Sequence, residues 1–197
     1  MEEFVHSTMQ QFGVFGIGLL MFLENIFPPI PSELIMPLAG YLSTRGDMSI
    51  VAVIAAGSTG SLLGIIPWYV LGRMMGEKKL KSFAGRHGRW LTMSPDDIAQ
   101  AGERFRRHGQ VSVLIGRLIP TVRTLISVPA GIARMPFWQF LAYSAIGSVI
   151  WTSALALAGF GLGQAYETVK DYVNPVATAV LCIMIVAYGY RVATFKA

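Results

Sequence analysis

The chain has 197 residues, of which 53% are hydrophobic and 14% are charged, whereas soluble domains usually carry about 25% charged residues. So many apolar residues exceed what one soluble core of this length would bury, and these figures exclude an ordinary soluble enzyme, a disordered protein and a secreted disulfide-rich scaffold. We therefore expect an all-α integral membrane protein with one basic aqueous segment.

The positive charge is concentrated in one segment, residues 73–107. This segment holds nine Lys/Arg and four Asp/Glu, a net charge of +5 that equals that of the whole chain. A cytoplasmic membrane flank explains the charge better than a nucleic-acid partner does, because no nucleic-acid motif accompanies it. The lone cysteine, Cys182, lies in an apolar run, and it excludes an internal disulfide and any Cys-rich metal site.

The first apolar stretch, from about 12 to 42, is divided by three prolines within four residues, at 28, 29 and 31. Such a cluster cannot continue a helix, because proline removes a backbone donor and clashes with the preceding turn. Irregular backbone at membrane depth is tolerated only inside protein or beside a watery cavity. We predict a re-entrant hairpin of two half-helices over about 12–42.

The next segments are a span, an aqueous connector and a second broken stretch. Residues 48–72 are long and apolar enough to cross a membrane, since about 20 residues suffice. The basic connector occupies 73–110. Residues 111–132 are also apolar and long, but they contain two arginines and two prolines, so we predict a second re-entrant hairpin there.

Two further spans are predicted, at 136–163 and 175–195. Because positively charged loops tend to stay in the cytoplasm, we expect the connector and the C-terminus to be cytoplasmic and the turn at 44–47 to be external. The first hairpin then enters the membrane from outside and the second from the cytoplasm.

A weak internal repeat accompanies this order of segments. Pro37-Leu-Ala-Gly40 resembles Pro129-Ala-Gly131, about ninety residues later. Each motif follows a proline-broken, charged segment and precedes a glycine-rich span. Two such units of opposite orientation form an inverted repeat, a transporter architecture whose site lies at the midplane where broken helices meet. The last span is an addition to this repeat.

Four charged residues fall in apolar surroundings: Glu24, Glu33, Arg117 and Arg123. Each would cost roughly 2.5–3.5 kcal/mol or more at the bilayer centre, so such residues persist when they pair, face water or work. Two buried salt bridges that lock the hairpins together would explain them, but a buried pair stabilises poorly compared with apolar packing. We therefore favour a functional site.

Arg117 and Arg123 lie on either side of Pro120, and a break there lets both guanidiniums approach one point. Two planar donor forks make a good clamp for phosphate. Helix N-termini after the break would add partial positive charge. The hydroxyls of Thr121 and Thr124 can donate as well.

Glu24 and Glu33 flank the other proline cluster in the same way. A carboxyl in a poorly solvated site near arginines can load and release a proton near neutral pH, which would couple transport to a proton gradient. Farther along, Tyr69 and Arg73 fit an aromatic anchor and a snorkelling cation at the cytoplasmic edge. No residue spacing indicates a metal site or a Ser-His-Asp triad, so we expect no metal, cofactor or catalytic residue.

With these residues the chain resembles the DedA family, also called the VTT or SNARE-associated membrane proteins. Three matches carry the resemblance and together cover roughly residues 22–163. They are Glu24-Asn25 with Pro28-Pro29-Ile-Pro31-Ser32-Glu33; Gly60-x-x-x-Gly64 with Tyr69-x-x-Gly72-Arg73; and Gly116-Arg117-x-x-Pro120-x-x-Arg123 with Pro129-Ala-Gly131. The proline-rich acidic motif resembles the branch linked to undecaprenyl phosphate recycling.

The resemblance implies inverted repeats with re-entrant hairpins, and lipid translocation as the function. Members are associated with returning undecaprenyl phosphate across the bacterial cytoplasmic (inner) membrane, tied to the proton-motive force, and eukaryotic relatives with phospholipid scrambling. On this basis Arg117 and Arg123 would hold the lipid phosphate. Glu24 and Glu33 would carry protons, or pair with the arginines when no lipid is bound. Tyr69 and Arg73 would be weaker site candidates, at the cytoplasmic mouth of the transport site.

The leading hypothesis is a flippase for undecaprenyl phosphate, not an enzyme, whose partners are the lipid and protons. A phospholipid scramblase or a proton-coupled exporter of small cations is the alternative within transport, and cation export would place Glu24 and Glu33 on the substrate. A membrane enzyme acting on lipid phosphates and a structural membrane protein are the alternatives from other classes. The sequence leaves the oligomeric state open, a homo-oligomer included.

Overall fold

A computed structural model gives the protein as a bundle of helices. It describes residues 2–26, 32–46, 48–91, 95–120 and 122–163. Within these ranges there are six helices and no strand, which confirms the predicted all-α class. The helices are α1 (Glu2–Ile26), α2 (Ser32–Thr44), α3 (Ile50–Leu91), α4 (Pro95–Arg117), α5 (Ser127–Ile132) and α6 (Phe137–Leu162).

Several sequence predictions fall outside the described residues. They concern the proline cluster at 28–31, Thr121, Cys182 and the last span at 175–195.

In the described part of the chain, two helical segments are long and apolar enough to cross a membrane, Ile50–Gly76 within α3 and Phe137–Leu162, which is α6. They overlap the predicted spans at 48–72 and 136–163. Along α6, large apolar side chains such as Ile146, Ile150 and Leu157 are exposed. A helix that is apolar all round suits a lipid environment, because its outward face then needs no water.

Two helices are bent at single residues. α1 is interrupted at Gly13, with φ 55° and ψ −134°, a conformation in which only a residue without Cβ avoids strain. α4 is interrupted at His108, with φ −131° and ψ 27°. The second bend separates the charged first part of α4 from the apolar part that ends at Arg117.

The backbones of α1 and α3 lie in close contact. A Cβ atom added at Gly60 would be 2.0 Å from the carbonyl oxygen of Gly18, and one added at Gly64 would be 2.6 Å from Asn25 Cβ. The small-xxx-small spacing of Gly60 and Gly64 predicts such an approach. It brings the end of α1, with Glu24 and Asn25, against the middle of α3.

Apolar side chains form two cores, with buried polar residues between them. The first core joins Val53 of α3 to Ala156 of α6, together with α1 and α2. The second joins Ile65 of α3 to Phe140 of α6, together with α4 and α5. α3 and α6 therefore run antiparallel, and a polar layer crosses both helices midway. Its members on these helices are Ser58, Ser61, Ser148 and Thr152.

Candidate functional site

The polar layer contains an ion pair between two of the predicted site residues. Arg123 Nη2 donates to Glu24 Oε1, and each side chain is 6% exposed. Glu24 lies near the end of α1 and Arg123 in the turn between α4 and α5. The pair therefore joins two segments that are 99 residues apart in the chain.

Arg117 is the last residue of α4, and its guanidinium enters the same layer. Nη1 donates to the carbonyl oxygen of Arg123 at 2.8 Å, and Nη2 donates to Ser148 Oγ at 2.6 Å and to Ser61 Oγ at 3.1 Å. Gly147 gives it room, since a Cβ atom there would be 2.6 Å from Arg117 Cβ. The arginine is thus fixed by α3, α6 and the turn that carries Arg123.

Asn25 links the two arginine systems. Its Nδ2 atom lies within hydrogen-bonding distance of Glu24 Oε2 at 2.9 Å and of Ser61 Oγ at 3.2 Å. Thr124 Oγ1 donates to Asn25 Oδ1 at 3.4 Å, and Trp68 Nε1 donates to the Asn25 carbonyl oxygen at 2.8 Å. The amide therefore holds Glu24 in place and connects it to the serine that accepts from Arg117.

An aromatic ring and a hydroxyl pair border the site. The ring of Trp151 lies with its centroid 5.8 Å from Arg123 Cζ, a cation–π distance. Trp151 Nε1 also donates to Ser32 Oγ at 3.3 Å, at the start of α2. Ser58 Oγ and Thr152 Oγ1 lie 2.8 Å apart and join α3 to α6.

Glu33, Tyr69 and Arg73 form no hydrogen bond or ion pair with this network in the described part of the chain. Glu33 is half-buried in the first turn of α2, and among the described residues no cation lies within ion-pair distance of it. Tyr69 is 1% exposed, stacks on Phe140 with ring centroids 4.5 Å apart, and accepts a hydrogen bond from the exposed Arg73 at 3.0 Å. Tyr69 is therefore built into the second core.

The backbone near Arg117 also differs from the expected half-helix N-termini. Arg117 stands at the C-terminal end of α4, residues 122–126 form turns, and α5 begins at Ser127. The positive charge of the site comes from the two guanidiniums themselves.

The geometry suits an anion. Within the described part of the chain, Arg117 has no acid in ion-pair distance, and its Nε atom has no hydrogen-bond partner. A buried cation without a counter-ion is costly, and an anion that also accepts hydrogen bonds removes much of that cost. The described residues contain no group of three or more His, Cys, Asp or Glu that could hold a metal ion.

The sequence interpretation did not single out Asn25, Ser61, Ser148 or Trp151 as site residues. A signal exists for three of them: Asn25 directly follows the intramembrane Glu24, and each serine directly follows a close-packing glycine, Gly60 or Gly147. A small polar residue beside such a glycine faces the neighbouring helix, where a buried charge can reach it.

The chain matches the VTT domain family over residues 30–161. It is 37% identical over 185 residues to a protein of Lactococcus lactis subsp. lactis named "Alkaline phosphatase-like protein", covering 93% of this chain and 86% of that protein. No solved structure matches.

Two further relatives carry one name, "Undecaprenyl phosphate transporter A". The protein of Staphylococcus aureus is 32% identical over 190 residues, which is 96% of this chain and 94% of the relative. The protein of Bacillus subtilis is 29% identical over 196 residues, which is 96% of this chain and 95% of the relative. These similarities confirm the resemblance drawn from the sequence motifs.

Proposed function

This chain belongs to the VTT-domain family, also called the DedA family, and we propose that it is a flippase that carries undecaprenyl phosphate across the bacterial cytoplasmic membrane. The names of two relatives similar over nearly their whole length support the lipid as substrate. One observation carries the proposal: Arg117 is a buried guanidinium whose Nε atom has no hydrogen-bond partner among the described residues, and it donates to the backbone of Arg123, which is itself buried.

The lipid phosphate would take the place of protein groups at the two arginines. Nη2 of Arg117 now donates to two serine hydroxyls, and Nη2 of Arg123 to a carboxylate. A phosphate monoester offers three oxygens, and each planar fork can bind two of them. Thr124 and Thr121 are proposed as further donors.

Proton coupling would follow from competition for Arg123. A phosphate that binds Arg123 displaces Glu24 from its ion pair, and an isolated buried carboxylate then gains by taking up a proton. When the lipid leaves, Glu24 loses the proton and pairs with Arg123 again. Glu33, half-buried at the start of α2, is proposed to exchange that proton with the aqueous side.

The helix contacts support an inverted repeat with two re-entrant hairpins. α1 packs on α3 and the end of α4 on α6, while α2 packs on α6 and α5 on α3. A Cβ atom at Gly40 would lie 2.0 Å from the Ala156 carbonyl oxygen, and one at Gly131 would lie 2.1 Å from that of Tyr69. These four contacts fall into two matching pairs, one from each half of the chain, as a two-fold relation requires.

The name of the Lactococcus lactis relative raises a second candidate, a membrane enzyme that hydrolyses phosphate esters. We propose that this chain leaves the lipid chemically unchanged. Incubation of the purified protein with undecaprenyl phosphate, followed by assay of inorganic phosphate, separates the two candidates. Release of phosphate would support the enzyme.

The main test follows undecaprenyl phosphate across liposome membranes that contain the purified protein, with and without an imposed pH gradient. We expect crossing in the wild type, faster with the gradient, and its loss in Arg117→Ala and Arg123→Ala protein. Arg45→Ala is the matched control, because Arg45 is exposed at the end of α2, away from the polar layer.

Three results would contradict the proposal. If undecaprenyl phosphate crosses at the wild-type rate in both site variants, the two arginines do not hold the lipid phosphate. Equal crossing of ordinary phospholipids indicates a scramblase. Crossing of neither lipid by folded protein favours a small-cation exporter or a structural role.

A further inference from the structure

A second cluster of cations lines a cavity at the other end of the second core. The cavity has a volume of about 340 Å³ and lies between the bend of α4 and the α5–α6 turn. Its described lining residues include Arg106, Arg107, His108 and Arg134, and no acid is among them. It is separate from the polar layer, since neither Arg117 nor Arg123 lines it.

One acid outside the lining orients two of these arginines. Glu103 accepts hydrogen bonds from Arg106 Nη2 at 2.7 Å and from Arg107 Nε at 3.0 Å; these arginines lie about one turn after Glu103 and just before the bend at His108. The three side chains are about half or more exposed. One carboxylate shared between two guanidiniums leaves the cluster with a net positive charge.

Arg134 has a backbone conformation that its side chain does not favour. Its φ is 55°, and it is the one non-glycine residue of the described chain with positive φ. It follows α5 in a Schellman-type C-cap, with Arg134 N–H bonded to Gly131 O at 3.0 Å and Met135 N–H bonded to Ala130 O at 3.1 Å. Glycine is the usual residue at this position.

The side chain of Arg134 is exposed, and among the described residues it has no hydrogen-bond or ion-pair partner. An arginine at a position that favours glycine, without a partner among the described residues, points to a partner outside the protein.

The surroundings of the cavity fit a membrane surface. Trp138, in the first turn of α6, is 76% exposed, and tryptophan prefers the interface between water and lipid. From the cavity, Val111 and Ile115 are exposed one turn apart on α4, and Ile119 is exposed just after the helix ends. These residues give acyl chains an apolar path that starts where the cations lie.

We propose that this cavity binds the phosphate headgroup of an anionic glycerophospholipid, with Arg134 and Arg107 as the main donors and the acyl chains along Val111, Ile115 and Ile119. This site is distinct from the proposed transport site and does not depend on it. Its occupant would tie the bend of α4 and the α5–α6 turn to the membrane surface.

The test measures lipid binding to the purified full-length protein in neutral detergent by native mass spectrometry. Phosphatidylglycerol and phosphatidylcholine are titrated into wild type, Arg134→Gly and Arg134→Lys. Glycine removes the donor and the backbone strain together, so Arg134→Gly should keep or raise the thermal stability. We expect its affinity for phosphatidylglycerol to fall by about fivefold or more, because a charge-assisted hydrogen bond is lost, with phosphatidylcholine unaffected.

The controls separate this site from general charge and from the transport site. Arg45→Ala removes one positive charge elsewhere and should bind phosphatidylglycerol like wild type. Arg134→Lys keeps the charge but loses the planar guanidinium, so its affinity for phosphatidylglycerol should lie between those of wild type and Arg134→Gly. The Arg123→Ala protein should still lose affinity when Arg134→Gly is added.

Three outcomes would overturn the proposal. Equal phosphatidylglycerol affinity in wild type and Arg134→Gly would exclude a lipid-binding site at Arg134. Displacement of the lipid by an equal concentration of inorganic phosphate makes it a small-anion site. Loss of all phosphatidylglycerol binding in Arg123→Ala alone assigns that lipid to the polar layer instead.

Discussion

Arg117 is a buried cation whose bonds go to neutral groups. Two serine hydroxyls and one carbonyl oxygen accept from it, while the carboxylate of Glu24 accepts from Arg123. Neutral acceptors satisfy the N–H groups, but they do not balance the charge as a directly paired acid would. On the proposed function, an anion that binds here would also stabilise the protein, and the effect of single acceptors on that stability can be measured.

Removal of the Ser148 hydroxyl should destabilise the protein in a way that the lipid can reverse. Ser148→Ala deletes the 2.6 Å acceptor of Arg117 Nη2, and a donor left without its partner costs about 1–3 kcal/mol. We expect a lower midpoint of thermal unfolding in detergent. Added undecaprenyl phosphate should raise the midpoint more in the variant than in wild type, because a phosphate oxygen can take the vacated donor.

Ser144→Ala is the matched control for that measurement. Ser144 lies one turn earlier on α6 and is fully buried, and its hydroxyl has no hydrogen-bond partner in the described structure. Its loss should leave stability unchanged or raise it slightly. Equal destabilisation by both alanine substitutions would contradict a specific role for Ser148.

Replacement of Glu24 by glutamine should separate lipid movement from proton coupling. Glutamine has the shape of glutamate but does not titrate, so the exchange of a proton for the Arg123 ion pair is lost. In liposomes, Glu24→Gln should still carry undecaprenyl phosphate without a gradient, at a rate within a few-fold of wild type. The acceleration by a pH gradient should disappear.

Glu103→Gln serves as the control, since Glu103 is exposed and lies outside the polar layer. It should keep the gradient response. A normal gradient response in Glu24→Gln would exclude Glu24 as the proton carrier and direct attention to Glu33.

At the scale of helices, close backbone contact decides where the charged residues meet. A side chain at Gly60 would overlap the Gly18 carbonyl oxygen, so α1 and α3 must separate to admit one. Gly60→Val should therefore destabilise the protein by about 1–3 kcal/mol, the usual effect of overpacking. It should also weaken lipid crossing, because Glu24 moves with α1.

Gly161→Ala is the comparison for this substitution, measured by thermal unfolding in the same detergent. Gly161 is in α6, and no atom of the described residues lies within 4 Å of an added Cβ atom. Alanine favours a helix over glycine by about 1 kcal/mol. A stability gain there beside a loss at Gly60 supports the packing argument. Equal tolerance of both substitutions would contradict it.

The apolar helices α3 and α6 and the candidate charged residues were predictable from the sequence. Which of these charged residues form an ion pair was not. Apolar length alone indicates the segments that became α3 and α6, and an arginine or glutamate in such surroundings stands out because burial is costly. Which acid pairs with Arg123 depends on how α1 packs against α3. Glu24 and Glu33 flank the proline cluster alike, and only the packing distinguishes them.

The neutral members of the site were harder to find for a different reason. Serine is common where membrane helices pack, so Ser61 and Ser148 carry no distinctive signal on their own. Trp151 is an amphipathic aromatic residue and so fits an interfacial anchor, yet its ring contacts Arg123. Such roles become visible only when residues from four segments are brought into one layer.

At the scale of the whole molecule, the polar layer lies between two apolar cores that are built from different halves of the chain. The first core draws on α1 and α2 and the second on α4 and α5, while α3 and α6 cross both. Between the two cores, an ion pair and a set of hydrogen bonds join segments of the first half to segments of the second. Small relative movement of the halves would change these bonds first, which suits alternating exposure of the site to the two sides.

The orientation of the molecule in the membrane remains a prediction from charge, and it can be tested directly. In a Cys182→Ser background, single cysteines replace Thr44, at the end of α2, and Ser82, in the basic part of α3; both native residues are exposed. A membrane-impermeant maleimide added to intact cells should label position 44 and not position 82, because positively charged segments tend to stay in the cytoplasm. After the membrane is opened, both should react, which shows that each is accessible. Labelling of position 82 in intact cells would contradict this prediction and indicate the opposite orientation. The headgroup site at Arg134 would then face the outer leaflet.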